Sequence, residues 1–162
     1  MNEKFIQNLD KLPADVRRQF ALLANQYGEK KKQSTIQHDF LSFVKHVWPD
    51  FIEGSHHKRI ADKFNKLASG EIKRLIINMP PRHTKSEFGS YLLPAWMVGK
   101  NPKLKIIQST NTTELSVRFG RKAKALIDSP EYQKVFNTKL REDSQAAGKW
   151  ETAQGGEYYA AG

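Results

Sequence analysis

The stretch Lys73–Ser86, with the sequence KRLIINMPPRHTKS, decides the fold. It opens with a short, unalternating apolar run at Leu75–Ile77, which is typical of a strand buried on both faces of a sheet. Two prolines end that run, and Lys85 and Ser86 then precede an apolar, helix-like stretch over residues 88–97. A strand, a loop and a helix in this order predict a phosphate-binding turn, because backbone N–H groups converge where such a helix begins.

The octet Met79–Ser86 takes the place of the usual phosphate loop, G-x-x-x-x-G-K-[ST]. In that motif the lysine contacts the β- and γ-phosphates and the hydroxyl residue binds magnesium. Lys85 and Ser86 fit it, whereas Met79 and Thr84 stand where it has glycines. The residues alone leave two interpretations open: a phosphate loop, or an ordinary strand-to-helix turn with a solvated lysine.

Outward from the loop, apolar residues at three- and four-residue spacing predict helices on both sides of it. The predicted helical stretches lie at residues 3–28 with a break near Pro13, 36–48 before Pro49, 60–67 before Gly70, 88–97 with a kink at Pro94 and a stop at Gly99, and 115–126. Gly28 and the basic stretch 29–35 predict a linker and a boundary near residue 30. We also predict a strand at Leu104–Ile107, a short helix from Pro130 and an irregular hairpin around Gly155.

Composition limits the class of protein. The 162 residues carry 27 lysines and arginines against 17 aspartates and glutamates, a net charge of +10. This excess suits nucleic acid, phosphate ligands or an anionic membrane. The lack of cysteine excludes a disulfide scaffold, a cysteine-ligated zinc site and a thiol nucleophile. No apolar run approaches the roughly 20 residues that span a bilayer, and Met1–Lys4 is unlike the start of a signal peptide. We expect a soluble intracellular protein with no membrane partner.

Pro80–Glu87 closely resembles the deviant phosphate loop of tailed-phage terminase large subunits, the motors that pack DNA into proheads. Other parts of residues 37–162 also resemble one branch of that family. They are His56-His57 with Ile60-Ala61, Gly70–Leu75, Pro94–Trp96, Gly99–Pro102, Ser109–Thr112 and Phe119–Arg121. In that family a proline and an arginine commonly replace the first glycines of the loop. Thr84, in place of the last glycine, is a further departure from the usual motif.

The resemblance implies a nucleotide-binding set within and before the loop. Its members are Pro80, Pro81, Arg82, His83, Thr84, Lys85, Ser86 and, in the adenine-contacting segment, His57. It implies that Lys85 contacts the β- and γ-phosphates of ATP and that Ser86 binds Mg²⁺. Arg82 matches an arginine finger, so Arg82 and Lys85 are the predicted catalytic residues. The alternatives are a surface arginine at 82, an idle exposed His83, and a His57 that only packs its helix.

Two features follow the second predicted strand. Asn111, three residues before a glutamate, fits a helix N-cap. For Ser109 and Thr110 the resemblance implies a role near nucleotide or DNA, and the residues themselves do not choose between the two. Arg118, Arg121 and Lys122 share one helical face in a predominantly basic stretch. We predict that they contact the phosphates of double-stranded DNA, the alternative being a solvated face.

A complete ATPase of this kind also needs an apolar strand that ends in acidic residues, the Walker B strand. Ala125–Asp128 continues a helical spacing and therefore predicts a helix end instead. By the resemblance, the acidic strand and a nuclease domain would follow Gly162. The sequence thus predicts a chain cut inside the ATPase domain and inactive in hydrolysis by itself.

Together these features predict an α/β fold: an incomplete P-loop NTPase-like parallel sheet with flanking helices, preceded by a helical N-terminal segment. The expected parts are a helical leader over 1–30, a helical segment over 31–72, and the first part of a P-loop ATPase domain over 73–162. The implied function is viral genome packaging in the host cytoplasm, with passage to the prohead portal. The implied partners are DNA, the terminase small subunit, the portal and the rest of the large subunit. Another P-loop NTPase such as a helicase, or a non-enzymatic basic DNA-binding or adaptor module, remains as an alternative.

Overall fold

The computed structural model describes residues 12–144 and 146–162. The chain divides into two compact units, one that extends to Ser34 and one from Thr35 to Gly162. The fold is mixed α/β, and its strands form a three-stranded sheet. No helix within the described residues is both long enough and apolar enough to span a membrane.

The first helix, α1, spans Ala14–His38. It begins after Pro13, whose carbonyl accepts a hydrogen bond from the Arg17 N–H at 3.0 Å. This confirms the helix predicted to open near Pro13, whereas the helix predicted before it falls mostly outside the described residues. The end of the helix predicted at Gly28 is wrong, because α1 continues through residues 29–35, whereas the division between the two units falls after Ser34, within the stretch predicted as a linker. Glutamate, lysine and glutamine favour a helix, and one interior glycine costs only about 1 kcal/mol.

Asp39 separates α1 from α2, which spans Phe40–Val47. The Asp39 carboxylate accepts hydrogen bonds from the N–H and the hydroxyl of Ser42, at 2.8 and 2.6 Å. An aspartate at this position caps a new helix. The helix predicted over 36–48 is therefore confirmed in its end before Pro49 and wrong in its start, because residues 36–38 belong to α1. The next helix, α3, spans Ser55–Ala68, and Gly70 follows it with a φ of +79°, which confirms the predicted stop.

Residues 73–83 contain neither helix nor strand, so the strand predicted at Leu75–Ile77 is wrong. The side chains of this segment nevertheless alternate as they do in a strand. Leu75, Ile77 and Met79 pack against the core, whereas Ile76 is 87% exposed. Only one face of the segment is covered. A strand also needs a hydrogen-bonded neighbour, and none of the described strands pairs with this segment.

A continuous helix follows the loop. It begins with a helical turn at Lys85 and Ser86, passes through a π-helical stretch at Glu87–Leu92, and becomes α4 at Leu93–Lys100. The change from π to α geometry falls beside Pro94, where the sequence predicts an irregularity. Proline lacks the N–H that would bond to the preceding turn, so regular hydrogen bonding is interrupted there.

Gly99 does not end α4, contrary to the prediction, since the helix continues to Lys100. A Cβ atom at Gly99 would lie 2.6 Å from the ring of Phe136 and 2.7 Å from the hydroxyl of Tyr132. Glycine is therefore needed for close packing and does not act as a stop signal.

The remaining elements form a mixed sheet with helical connections. They are β1 (Lys105–Ser109), α5 (Thr113–Ile127), α6 (Pro130–Gln133), β2 (Lys149–Glu151) and β3 (Glu157–Ala161). The sheet order is β1-β3-β2, with β1 parallel to β3 and β2 antiparallel to β3. The second strand, the short helix and the hairpin are thus confirmed. A P-loop-like parallel sheet stays a prediction, because the described sheet contains one parallel pair.

An aromatic cluster fixes the helix that carries the loop. The Phe40 ring lies 5.0, 5.4 and 5.5 Å from the rings of Phe64, Phe88 and Trp96, all edge to face. The side chains of Phe40, Phe88 and Trp96 are fully buried. Because Phe88 follows Ser86 by two residues, burial of its ring sets the position of the first helical turn.

Candidate functional site

The loop at residues 80–86 has an unusual backbone. Arg82 and Thr84 have φ angles of +63° and +60°, in the left-handed region that glycine favours. Threonine enters this region at a cost, because its branched Cβ approaches the following carbonyl. Left-handed residues such as Arg82 and Thr84, set beside residues of ordinary φ, are typical of the backbone concavities that bind anions.

The helix begins directly after Thr84, whose carbonyl accepts a hydrogen bond from the Phe88 N–H at 2.9 Å. The N–H groups of Lys85, Ser86 and Glu87 therefore belong to a first turn, where donors have no partner within the helix. The helix dipole adds partial positive charge at the same end. Such a helix start attracts phosphate groups and other anions.

A pocket of about 300 Å³ lies over the loop. Its lining residues are Pro80, Pro81, Arg82, Thr84, Lys85, Ser86 and Glu87. Arg82, Lys85 and Ser86 are all exposed. Among the described residues, neither Arg82 nor Lys85 has an acidic partner. The structure thus brings together one guanidinium, one ammonium and one hydroxyl group that the sequence assigns to a single site.

His57 lies beneath the loop, only 5% exposed. Its Nδ1 accepts a hydrogen bond from the Gly54 N–H at 2.9 Å, and its Nε2 lies 2.6 Å from the Thr84 hydroxyl oxygen. That hydroxyl in turn donates to the carbonyl of His83 at 2.6 Å. Both ring nitrogens of His57 are used, so its observed role is to pack and join the helix start and the loop. The predicted contact of His57 with adenine stays a prediction.

Burial and the neighbouring His56 lower the pKa of His57 from its ordinary value. The imidazole is therefore neutral at pH 7. His83 is exposed, and its Nδ1 donates to the carbonyl of Pro81 at 2.9 Å. That contact joins His83 to the start of the turn.

The predicted DNA-contacting residues divide into two kinds. Arg118 and Arg121 are exposed on α5. Lys122 instead donates to the Glu87 carboxylate at 2.5 Å, and its ammonium lies 4.6 Å from the centre of the Tyr91 ring. Lys122 therefore ties α5 to the helix that follows the loop, and the exposed cations of this face are the two arginines.

The start and end of α5 are set by local hydrogen bonds. Thr112 is the N-cap, with its hydroxyl accepting from the Leu115 N–H at 3.3 Å, so the cap predicted at Asn111 is wrong by one residue. The Thr110 hydroxyl donates to the Thr112 carbonyl at 2.7 Å and steadies the same turn. Asp128 is the C-cap of α5, which confirms a helix end there.

A second pocket, of about 380 Å³, lies against the approach to the loop. Its polar lining residues are His56, Arg59, Lys63 and Asn78. The sequence pattern does not single out Arg59 and Lys63, because they are ordinary exposed cations of an amphipathic helix. Their four-residue spacing, which places them on one face of α3, is the only signal available. Within the described residues, no cluster of three or more His, Asp or Glu side chains could hold a metal ion.

Comparison of the chain with protein families, curated proteins and solved structures found no match.

Proposed function

We propose that the loop at residues 80–86 binds the phosphates of ATP together with Mg²⁺, in the ATP-binding part of a terminase large subunit. One observation carries the proposal. An exposed loop with two left-handed residues immediately precedes a helix that packs in the core, and Lys85 and Ser86 occupy the first turn of that helix. Converging N–H groups, a lysine and a hydroxyl are what a bound triphosphate requires.

The proposed roles follow from the chemistry of each side chain. Lys85 is a point charge for the β- and γ-phosphates. Ser86 fits Mg²⁺, because that ion keeps several waters and needs few protein ligands when phosphates share its coordination. Arg82 lies on the same loop and would neutralise charge that develops on the γ-phosphate. Such arginines contribute about 10³–10⁵ in rate in other phosphoryl-transfer enzymes.

The wider function is proposed on the resemblance to terminases. In that proposal, hydrolysis of ATP by the whole large subunit drives DNA into the prohead. Arg118 and Arg121 would contact DNA phosphates, and the other partners would be the small subunit, the portal and the rest of the large subunit. The site of action would be the host cytoplasm and, transiently, the portal. A different P-loop NTPase such as a helicase would share the loop but not these partners.

Calorimetric titration with Mg-ATP tests the nucleotide assignment. Lys85→Ala removes a charge-assisted contact worth about 1.5–3 kcal/mol, which corresponds to roughly a 10- to 150-fold loss of affinity. Lys103→Ala, at another exposed lysine, is the matched control and should leave affinity unchanged. Equal affinity of the wild type and Lys85→Ala would reject the phosphate loop. It would favour a basic DNA-binding or adaptor module.

A further inference from the structure

Thr84 poses a physical problem that the rest of the loop does not solve. It is β-branched, yet its φ of +60° lies where glycine is the favoured residue. A threonine stays in this conformation only when surrounding contacts over-determine it. The contact that meets this need comes from a distant helix, since His57 lies 27 residues earlier in the chain.

The hydrogen bonds around His57 form a directed series. The Gly54 N–H donates to Nδ1 at 2.9 Å, so Nδ1 carries no proton. Nε2–H then donates a hydrogen bond to the Thr84 hydroxyl oxygen at 2.6 Å, and that hydroxyl donates a hydrogen bond to the His83 carbonyl at 2.6 Å. The direction of each bond is fixed, because the Gly54 N–H can only donate and the His83 carbonyl can only accept. Only the neutral imidazole with its proton on Nε2 satisfies the whole series.

The groups packed around His57 oppose a second proton. The ring centres of Phe51 and Phe88 lie 4.8 and 5.0 Å away, and His56 lies 3.8 Å away. His83 adds to the positive surroundings, and burial together with His56 lowers the pKa of His57.

Among the described residues, Glu53 is an acid that favours the proton on His57, but its carboxylate is already paired with Lys45 and Lys58. A proton on Nδ1 would also place a donor against the Gly54 N–H at the positive end of α3.

We infer that His57 and Thr84 form a latch that holds the loop in its anion-binding conformation, and that a proton on Nδ1 weakens this latch. That proton leaves the Nε2–H bond to Thr84 in place but breaks the Gly54 contact that holds the ring in position. His57 is thus a positioning residue, acting through Thr84 and not on the ligand. The inference rests on the proposed function for the identity of the ligand, ATP. The latch itself concerns the loop backbone and can be observed without nucleotide.

A double-mutant cycle tests the latch, with Mg-ATP as the probe. His57→Ala should weaken binding about tenfold, the scale of the left-handed penalty for a branched residue. Thr84→Gly provides the reference background, because glycine adopts a positive φ freely and its loop needs no contact from His57. In the Thr84→Gly background, His57→Ala should then cost nothing. Thr84→Val, which keeps the shape and loses the hydroxyl, should match His57→Ala.

A pH series separates positioning from packing. Wild-type affinity should be constant while His57 is neutral and should fall only as folded His57 takes up a proton, which its lowered pKa shifts below pH 6.5; Thr84→Gly should be indifferent to that protonation. His57→Gln keeps an acceptor for the Gly54 N–H and a donor for Thr84, so it should retain most of the affinity without the pH dependence. An equal cost of His57→Ala in the Thr84 and Thr84→Gly backgrounds would overturn the latch and leave His57 as a packing residue.

Nuclear magnetic resonance of the free chain distinguishes the two proposals. The ¹⁵N shifts of the His57 ring should report the Nε2-protonated tautomer, and the Thr84 and Lys85 amides should shift as His57 titrates. If Mg-ATP does not bind the wild type but these signals appear, the latch stands and the proposed function fails. If the His57 ring shows the other tautomer, the latch is wrong whatever the ligand. The same spectra of His57→Ala show whether the variant is folded.

Discussion

The basic face of α5 gives a quantitative prediction about DNA. Arg118 and Arg121 are exposed, whereas Lys122 is bound to Glu87 and lies over the ring of Tyr91. Neutralising the two arginines removes two cations that are available to phosphates. Neutralising Lys122 removes a contact between helices. The three substitutions should therefore have different effects on binding and on stability.

The expected size follows from counterion release. Each phosphate contact contributes about 0.9 to the slope of log affinity against log salt for duplex DNA. Arg118→Ala with Arg121→Ala should flatten that slope by about 1.8, and adding Lys122→Ala should change it little further. If all three cations contacted DNA, the loss would be about 2.7. Lys122→Ala should instead lower the free energy of unfolding by at most about 1 kcal/mol, because its ion pair is partly exposed.

Fluorescence anisotropy of a labelled duplex at several salt concentrations measures the slope. A variant with Lys103→Ala and Lys134→Ala has the same change in net charge at other exposed positions and serves as the control. Urea denaturation measures the stability of each variant. An unchanged slope in the double arginine variant would make this face a solubilising surface. If the salt slope of the triple variant is flatter by about 2.7 in total, DNA displaces Lys122 from Glu87.

Two further predictions concern hydrolysis and pH. Residues 1–162 should turn over ATP negligibly, because the carboxylate of Glu87 at the loop pocket is paired with Lys122, and Asp128, at the end of α5, does not line that pocket; Lys85-dependent phosphate release by the purified chain would contradict this. The free energy of unfolding should fall as pH drops below 6.5, because the lowered pKa of His57 makes the unfolded chain bind more protons than the folded one. Urea titrations between pH 5 and 8 should show this loss in the wild type and not in His57→Gln, and parallel curves for the two would refute it.

The helix ends that the sequence predicts well are those set by adjacent residues. Gly70 after α3 and Asp128 after α5 act through the backbone of their own turn, so their effect does not depend on distant contacts. Asn111 fails as a cap because Thr112, its neighbour, offers a hydroxyl that serves the same purpose one residue later. Local chemistry fixes that a cap occurs there, but two adjacent candidates leave its position open.

The failures away from helix ends come from tertiary structure. An apolar run such as Leu75–Ile77 predicts a strand, but a strand exists only when a second strand supplies hydrogen bonds. Glycine commonly ends a helix, but Gly99 is needed because the ring of Phe136 packs closely against it. Neither a partner strand nor a distant ring leaves a mark in the local pattern, so these features could not be read from the sequence.

The candidate site likewise combines features that are local in the chain with one that depends on a distant contact. Its ligand-facing residues lie together in the chain, and their order alone suggests a phosphate loop. The contact that shapes the loop joins Thr84 to a helix 27 residues earlier and has no local signal. A loop with glycine at this position needs no outside support, because glycine adopts a positive φ freely. With threonine there, the conformation of the loop depends on His57, and therefore on an intact start of α3 at Gly54. A change that loosens that helix start should weaken the anion site even though it touches no ligand.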